Sequence, residues 1–106
     1  MFKITHPTTK IEIEVAENDL GLMSWEDADK ACKAHGEGWR LPTTLELDTM
    51  CKNLHANGDG NFSNTDYWGG SASTLFMKMG AYNFERSTPF AGNMGEKYAV
   101  RPVREV

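Results

Sequence analysis

The sequence predicts an α+β domain, on three observations. Segments that alternate apolar and polar residues stand at both ends of the chain. Two capped amphipathic helices follow the first of them. A polar, turn-rich second half then carries short aromatic strands. Strands, two helices, then strands is the order of a domain whose helices pack on an antiparallel sheet.

Phe2–Thr5 and Lys10–Val15 alternate in period two, and His6-Pro7-Thr8-Thr9 between them is turn chemistry. Together they predict a hairpin with one wet face. Ser24 is placed to cap a helix running to about His35, with Asp27 at N3. Trp25, Ala28, Cys32 and His35 share its apolar stripe, and Glu26–Lys30 and Asp29–Lys33 are i,i+4 pairs with the acid first. Gly36 and Gly38 end it. Thr43-Thr44-Leu45-Glu46 is a full capping box for a second helix. Pro42 is set to pack on Leu47, and Leu47, Met50, Cys51 and Leu54 form the stripe. Trp39 and Leu41 alternate toward a core, and Arg40 is expected to satisfy buried carbonyls or a carboxylate.

Residues 55–65 are polar and glycine-rich. Tyr67-Trp68, Leu75–Met79 and Ala81–Arg86 read as short strands with tight turns, Ser87–Lys97 as loop, and Tyr98–Arg104 as a closing strand. Pro102 puts that strand at an edge, at a bulge or near its end.

Length and charge bound the function. The chain has 106 residues, 40% apolar and 25% charged, which is one globular domain over residues 1–106. Its formal charge is −4, concentrated in residues 1–53, which hold 6 basic and 10 acidic side chains; residues 54–106 hold 5 of each. No basic cluster is present, which disfavours nucleic acid and anionic membrane surfaces as partners. The N-terminus lacks the apolar run of a signal peptide, and no stretch has the ~20 apolar residues of a spanning helix. The expectation is a cytoplasmic protein, although a trimmed piece of a secreted parent would look the same. Cys32 and Cys51 lack zinc spacing and read as buried thiols, bridged only if their backbones come close.

Met23–Ala28, Cys32, Gly38-Trp39-Arg40-Leu41-Pro42-Thr43, Glu46-Leu47, Tyr67-Trp68 and Tyr98–Arg104 form an ordered series over about residues 20–104. The series resembles the domain family named after the C-terminal domain of the Legionella collagen-like protein, a branch of the C-type lectin-like superfamily. The resemblance implies paired terminal strands, two helices flanking a small twisted antiparallel sheet, and long loops at one end. Relatives use that loop face for sugars, for proteins or, in formylglycine-generating enzymes, for catalysis. Where the family usually carries Tyr-Trp-Ser-Ser, this chain has Tyr67-Trp68-Gly69-Gly70-Ser71, and the segment from Ser71 to Tyr98 is short.

No metal or other cofactor is expected. Counted from Asn57, the sixth and twelfth positions of a calcium loop are Phe62 and Trp68, not Gly and Glu. No Glu-Pro-Asn or Gln-Pro-Asp sugar motif is present, so Asp59, Asn61 and Asp66 read as turn formers. His6, His35 and His55 are scattered, with no triad spacing. Trp68, Tyr82, Phe84 and Tyr98 either fill the core or join Asn83, Arg86 and Asn93 in an aromatic binding platform. The main expectation is a non-catalytic module that recognises a glycan or a protein through Asp66, Trp68, Asn83, Arg86, Asn93 and Lys97. Lys78, Arg86 and Lys97 would meet an anionic ligand. One alternative is a formylglycine-generating type of enzyme with Cys32 and Cys51 as its reactive pair, a reading whose support is the superfamily link. Another is a phage or cell-surface assembly subunit that presents its loops and forms an oligomer.

Overall fold

The structure, a computed structural model, describes residues 2–73 and 78–106, without the side chains of residues 71–73 and 78. It begins with the expected hairpin. Strands β1 (Phe2–Thr5) and β2 (Glu12–Val15) pair antiparallel, burying Ile4, Ile13 and Val15 while Lys3, Thr5 and Glu12 face water. His6 holds the turn, its Nδ1 accepting the N–H groups of Thr8 and Thr9. A short strand β3 (Leu22–Met23) leads into α1 (Trp25–Ala34), capped by Ser24 and ending at His35. Ala28 and Cys32 are buried as its stripe requires. His35 is not; it is exposed and meets the edge of Trp39.

Helix α2 (Thr44–Asn53) carries the capping box its sequence spells, Thr43 Oγ1 accepting from Glu46 N and Glu46 Oε1 accepting from Thr43 N. Arg40 meets the carboxylate of Glu46 with two hydrogen bonds, of 2.7 and 2.9 Å, and donates a third to Leu41 O. One side chain thereby closes the helix start and ties down the segment before it. Trp39 departs from expectation. It is only half-buried, with the Arg104 guanidinium 4.8 Å above its ring, because Arg40 bridges Val103 and so brings Arg104 alongside.

A single 3-10 turn (His55–Asn57) leads into the loop before β4 (Asp66–Ser73). Strand β5 (Lys78–Asn83) runs straight through Gly80, where the sequence suggested a break between two strands. Of the expected strand 75–79, residues Leu75, Phe76 and Met77 lie outside the described residues. Strand β6 (Thr88–Gly92) occupies the expected loop. Pro89 and Gly92 hid it in the sequence, and both have places in an outer strand. Proline is tolerated at an edge, and a Cβ on Gly92 would lie 2.4 Å from the Trp68 ring.

The closing segment is two strands rather than one, β7 (Tyr98–Ala99) and β8 (Val103–Glu105), and they belong to different sheets. The first sheet has the order β1-β2-β8 and is antiparallel. The first and last strands do not pair with each other, contrary to what the resemblance implies; each pairs with β2 between them. The second has the order β3-β7-β4-β5-β6 and is mixed, because β4 and β7 run parallel. This corrects the expected single antiparallel sheet. The cause lies in one long antiparallel ladder that passes from sheet to sheet: β2 against β8, then Ala16 N to Pro102 O, Leu20 N to Val100 O, then β3 against β7. Residues 16–21 stand there against only 100–102, so the longer side bows outward.

Arg101 sits at that switch, fully buried. Its Nε donates to Asp19 Oδ1 (2.9 Å), Nη1 to the carbonyls of Ala16 and Gly60, and Nη2 to the carbonyl of Asn61 (2.9 Å). The Phe62 ring lies 4.2 Å from the guanidinium carbon. Asp19 Oδ2 in turn accepts the Tyr67 hydroxyl at 2.7 Å. The glycine-rich loop therefore does hold a cation with its carbonyls, and that cation is a side chain of the protein itself.

Alternation along the second sheet divides the core in two. Tyr67, Tyr82 and Ala99 point to a cluster with the first sheet and with Leu47, Met50 and Cys51 of α2. Trp68, Ala81 and Val100 point to the other cluster, with Ala28 and Cys32 of α1 and Leu41. The described residues contain no helix long and apolar enough to cross a membrane.

Two outcomes are expected. Arg101→Met leaves three carbonyls and Asp19 without their donor and lowers stability by about 3–5 kcal/mol in urea unfolding; a loss under ~1 kcal/mol would show that the switch does not need its guanidinium. Burial works against the Glu46 charge, but the Arg40 and Thr43 hydrogen bonds outweigh it and hold the carboxyl below its usual range. Its contribution is full above the ordinary carboxylate pKa of about 4.3 and fades as pH falls through the lowered folded value. Urea midpoints should show wild type ahead of Glu46→Gln at pH 7, with the gap closing in that acid interval.

Candidate functional site

The face of the second sheet that carries Trp68 becomes polar at one end, and register explains why. Asp66 on β4 stands opposite Asn83 on β5, which stands opposite Thr88 on β6. Three polar side chains thus share one cross-strand row. One pleat further on lies the row of Trp68, Ala81 and Phe90. Asp66, Asn83, Thr88 and Phe90 line a cleft of 390 Å³ together with Arg86, which comes from the turn between β5 and β6.

The geometry inside the cleft is fixed from below. Asn83 Oδ1 accepts the Arg86 backbone N–H at 2.7 Å, which sets the amide's orientation, and Asn83 Nδ2 donates to Asp66 Oδ1 at 2.7 Å. The carboxylate is held at one oxygen, leaving the other for a ligand, and the amide keeps a second N–H. Phe90 is half-buried, its ring edge-to-face with Tyr98 at 5.6 Å. The cleft thus joins a carboxylate, a carboxamide, a guanidinium and a hydroxyl to one aromatic wall.

Of the six residues expected to contact a ligand, the structure gathers Asp66, Asn83 and Arg86 here. Trp68 is corrected: it is fully buried, its indole N–H donates to Met23 O at 2.8 Å, and its ring packs on Tyr98 at 4.4 Å. Tyr82 and Phe84 are likewise core. Asn93 serves a turn, its Oδ1 accepting from Gly95 N, and Lys97 is exposed; neither lines the cleft. The side chain of Lys78 lies outside the described residues. Thr88 and Phe90 were missed because their strand reads as loop. Their one signal was the polar–apolar spacing of Thr88 and Phe90 around Pro89.

Gly69 and Gly70 are held in close quarters. A Cβ on Gly69 would lie 3.0 Å from the Gly80 carbonyl oxygen. The Gly70 N–H reaches Pro42 O, and the Gly69 carbonyl accepts from the Trp25 indole at 3.0 Å. The pair sits where β4 shifts register and presses on its neighbours.

Two further clefts have different chemistry. One of 370 Å³ lies between residues 14–20 and His35 and Trp39, but there Arg104 and Arg101 already hold the carboxylates of Glu14 and Asp19. The other, of 220 Å³, lies over Thr44, Leu45, Asp48, Tyr82 and Pro89. Its phenol and carboxylate are bonded to each other. Burial and then the Asp48 bond push the Tyr82 hydroxyl up, while the bonds from Tyr82 and Lys52 overcome burial to hold Asp48 low.

Cys32 and Cys51 are free and buried, and they sit in different core clusters. Burial first, and then Asp29, push the Cys32 thiol up to about 12. Cys51 Sγ lies 3.5 Å from Ser87 Oγ and 3.7 Å from Phe84 O.

Compared with models of known protein families and with curated proteins, the chain matches none. Both cysteines are buried, and the reactive thiolate is further disfavoured at Cys32, so both should resist a thiol reagent at pH 8 until urea unfolds the protein. Rapid labelling of either one in the native state would show that its thiol opens to solvent.

Proposed function

We propose that the chain is a non-catalytic binding module that takes a glycan in the cleft formed by Asp66, Asn83, Arg86, Thr88 and Phe90. The observation that carries this reading is the row of polar groups beside an aromatic ring. A pyranose presents hydroxyls that both donate and accept, together with a flat patch of C–H groups. Asp66 offers acceptors, Asn83 and Arg86 offer donors, and Thr88 offers both. The Phe90 ring supplies an apolar face. The cleft volume of 390 Å³ falls within the usual range of ligand sites, roughly 300–1,000 Å³.

Preorganisation supports the same reading. Asn83 is clamped on both sides before any ligand arrives, so little ordering remains for binding to oppose. The resemblance to the C-type lectin-like family adds a superfamily with sugar-binding members; their sugars meet a loop face, whereas this cleft stands on β4, β5 and β6 with Arg86 from a turn.

A broad glycan array should return a reproducible subset of binders at low and physiological salt. Titration with the tightest of them should show Asp66→Ala and Phe90→Ala each weakening affinity by about tenfold or more. An array silent at every salt concentration, or affinities untouched by both substitutions, would remove the glycan reading.

A further inference from the structure

We infer that the cleft takes a uronic acid unit of that glycan, its carboxylate held by the Arg86 guanidinium; the inference rests on the glycan reading above. The chain has four arginines. Arg40 holds Glu46, Arg101 holds Asp19 and Arg104 holds Glu14. Arg86 is exposed, and its guanidinium has no hydrogen bond or ion pair among the described residues. It is also the arginine that lines the polar cleft. Its backbone is fixed by the bond to Asn83, so the side chain starts from a set point on the rim.

Ligand charge and shape follow from the neighbours. A planar guanidinium matches a planar carboxylate with two parallel hydrogen bonds. Asp66 stands in the same cleft, so the protein offers one positive and one negative group there. A doubly charged phosphate would meet a single cation and a repelling carboxylate. A singly charged carboxylate turned toward Arg86 keeps clear of Asp66, which is left to accept ring hydroxyls. This one arrangement orients the sugar. The net charge of −4 opposes long-range capture of a polyanion, so recognition here acts at contact distance.

Arrayed oligosaccharides of glucuronic, galacturonic and mannuronic acid, each beside its carboxyl-reduced neutral counterpart and beside sulfated neutral sugars, test this directly. At least one uronate should bind about tenfold or more tightly than its neutral counterpart, a preference that shrinks as salt rises. Arg86→Gln should bring that uronate down to the level of the neutral sugar, and Arg86→Lys should keep only part of the preference. Both variants should unfold at the wild-type midpoint, since the side chain holds nothing in the fold. Neutral sugars bound as well as uronates, or sulfated sugars preferred to them, would overturn the uronate inference and leave the glycan reading standing. Silence toward every sugar would overturn both.

Discussion

The fold depends on burying one guanidinium. A charged side chain taken out of water is costly unless its hydrogen bonds are replaced and its charge is matched. Arg101 meets both conditions at once, with a carboxylate, three backbone carbonyls and an aromatic ring around it. Those partners come from the bowed segment after β2 and from the loop before β4, two regions far apart in sequence. Through Asp19 the same charge reaches the Tyr67 hydroxyl, which also accepts the Ser63 N–H. Lysine has the charge but not the fork of donors that reaches all of them. Among the described residues no buried side-chain nitrogen or oxygen lacks a partner, so the polar interior is complete around this hub.

That hub lets one strand pair serve two sheets, and the arrangement gives the second sheet a different task on each face. One face is closed by α2 and the smaller sheet. The other is apolar near α1 and ends in the Asp66, Asn83 and Thr88 row. Side chains on paired strands are held more tightly than side chains on loops. The candidate site thus stands largely on sheet framework, with Arg86 alone coming from a turn.

Much of this was legible in the sequence where the physics is local. Ser24 and the Thr43–Glu46 box mark helix starts because a cap needs only its own first turn. The hairpin showed because alternation and turn residues are neighbours. Arg40 was foreseen as a satisfier of buried groups, although Glu46 as its carboxylate was not named. What failed was set by partners distant in the chain. Nothing in Tyr98–Arg104 shows that it divides between two sheets, since the reason is a contact with Asp19 and Gly60. Aromatic composition could not tell Trp68, which is sealed in the core, from Phe90, which lines a cleft. Strand β6 was concealed because proline and glycine are judged by average preference, whereas here an edge position and a neighbouring indole decide.

Pro89 carries a consequence for how these molecules meet one another. Strand β6 is one of the two outer strands of its sheet, and a bare strand margin is a template on which a second chain can add and begin a cross-β stack. A proline there withholds one backbone donor, so the rung that a newcomer would need is missing. The margin beside the aromatic wall is thereby guarded against fibrous self-addition while its face stays free to meet a ligand.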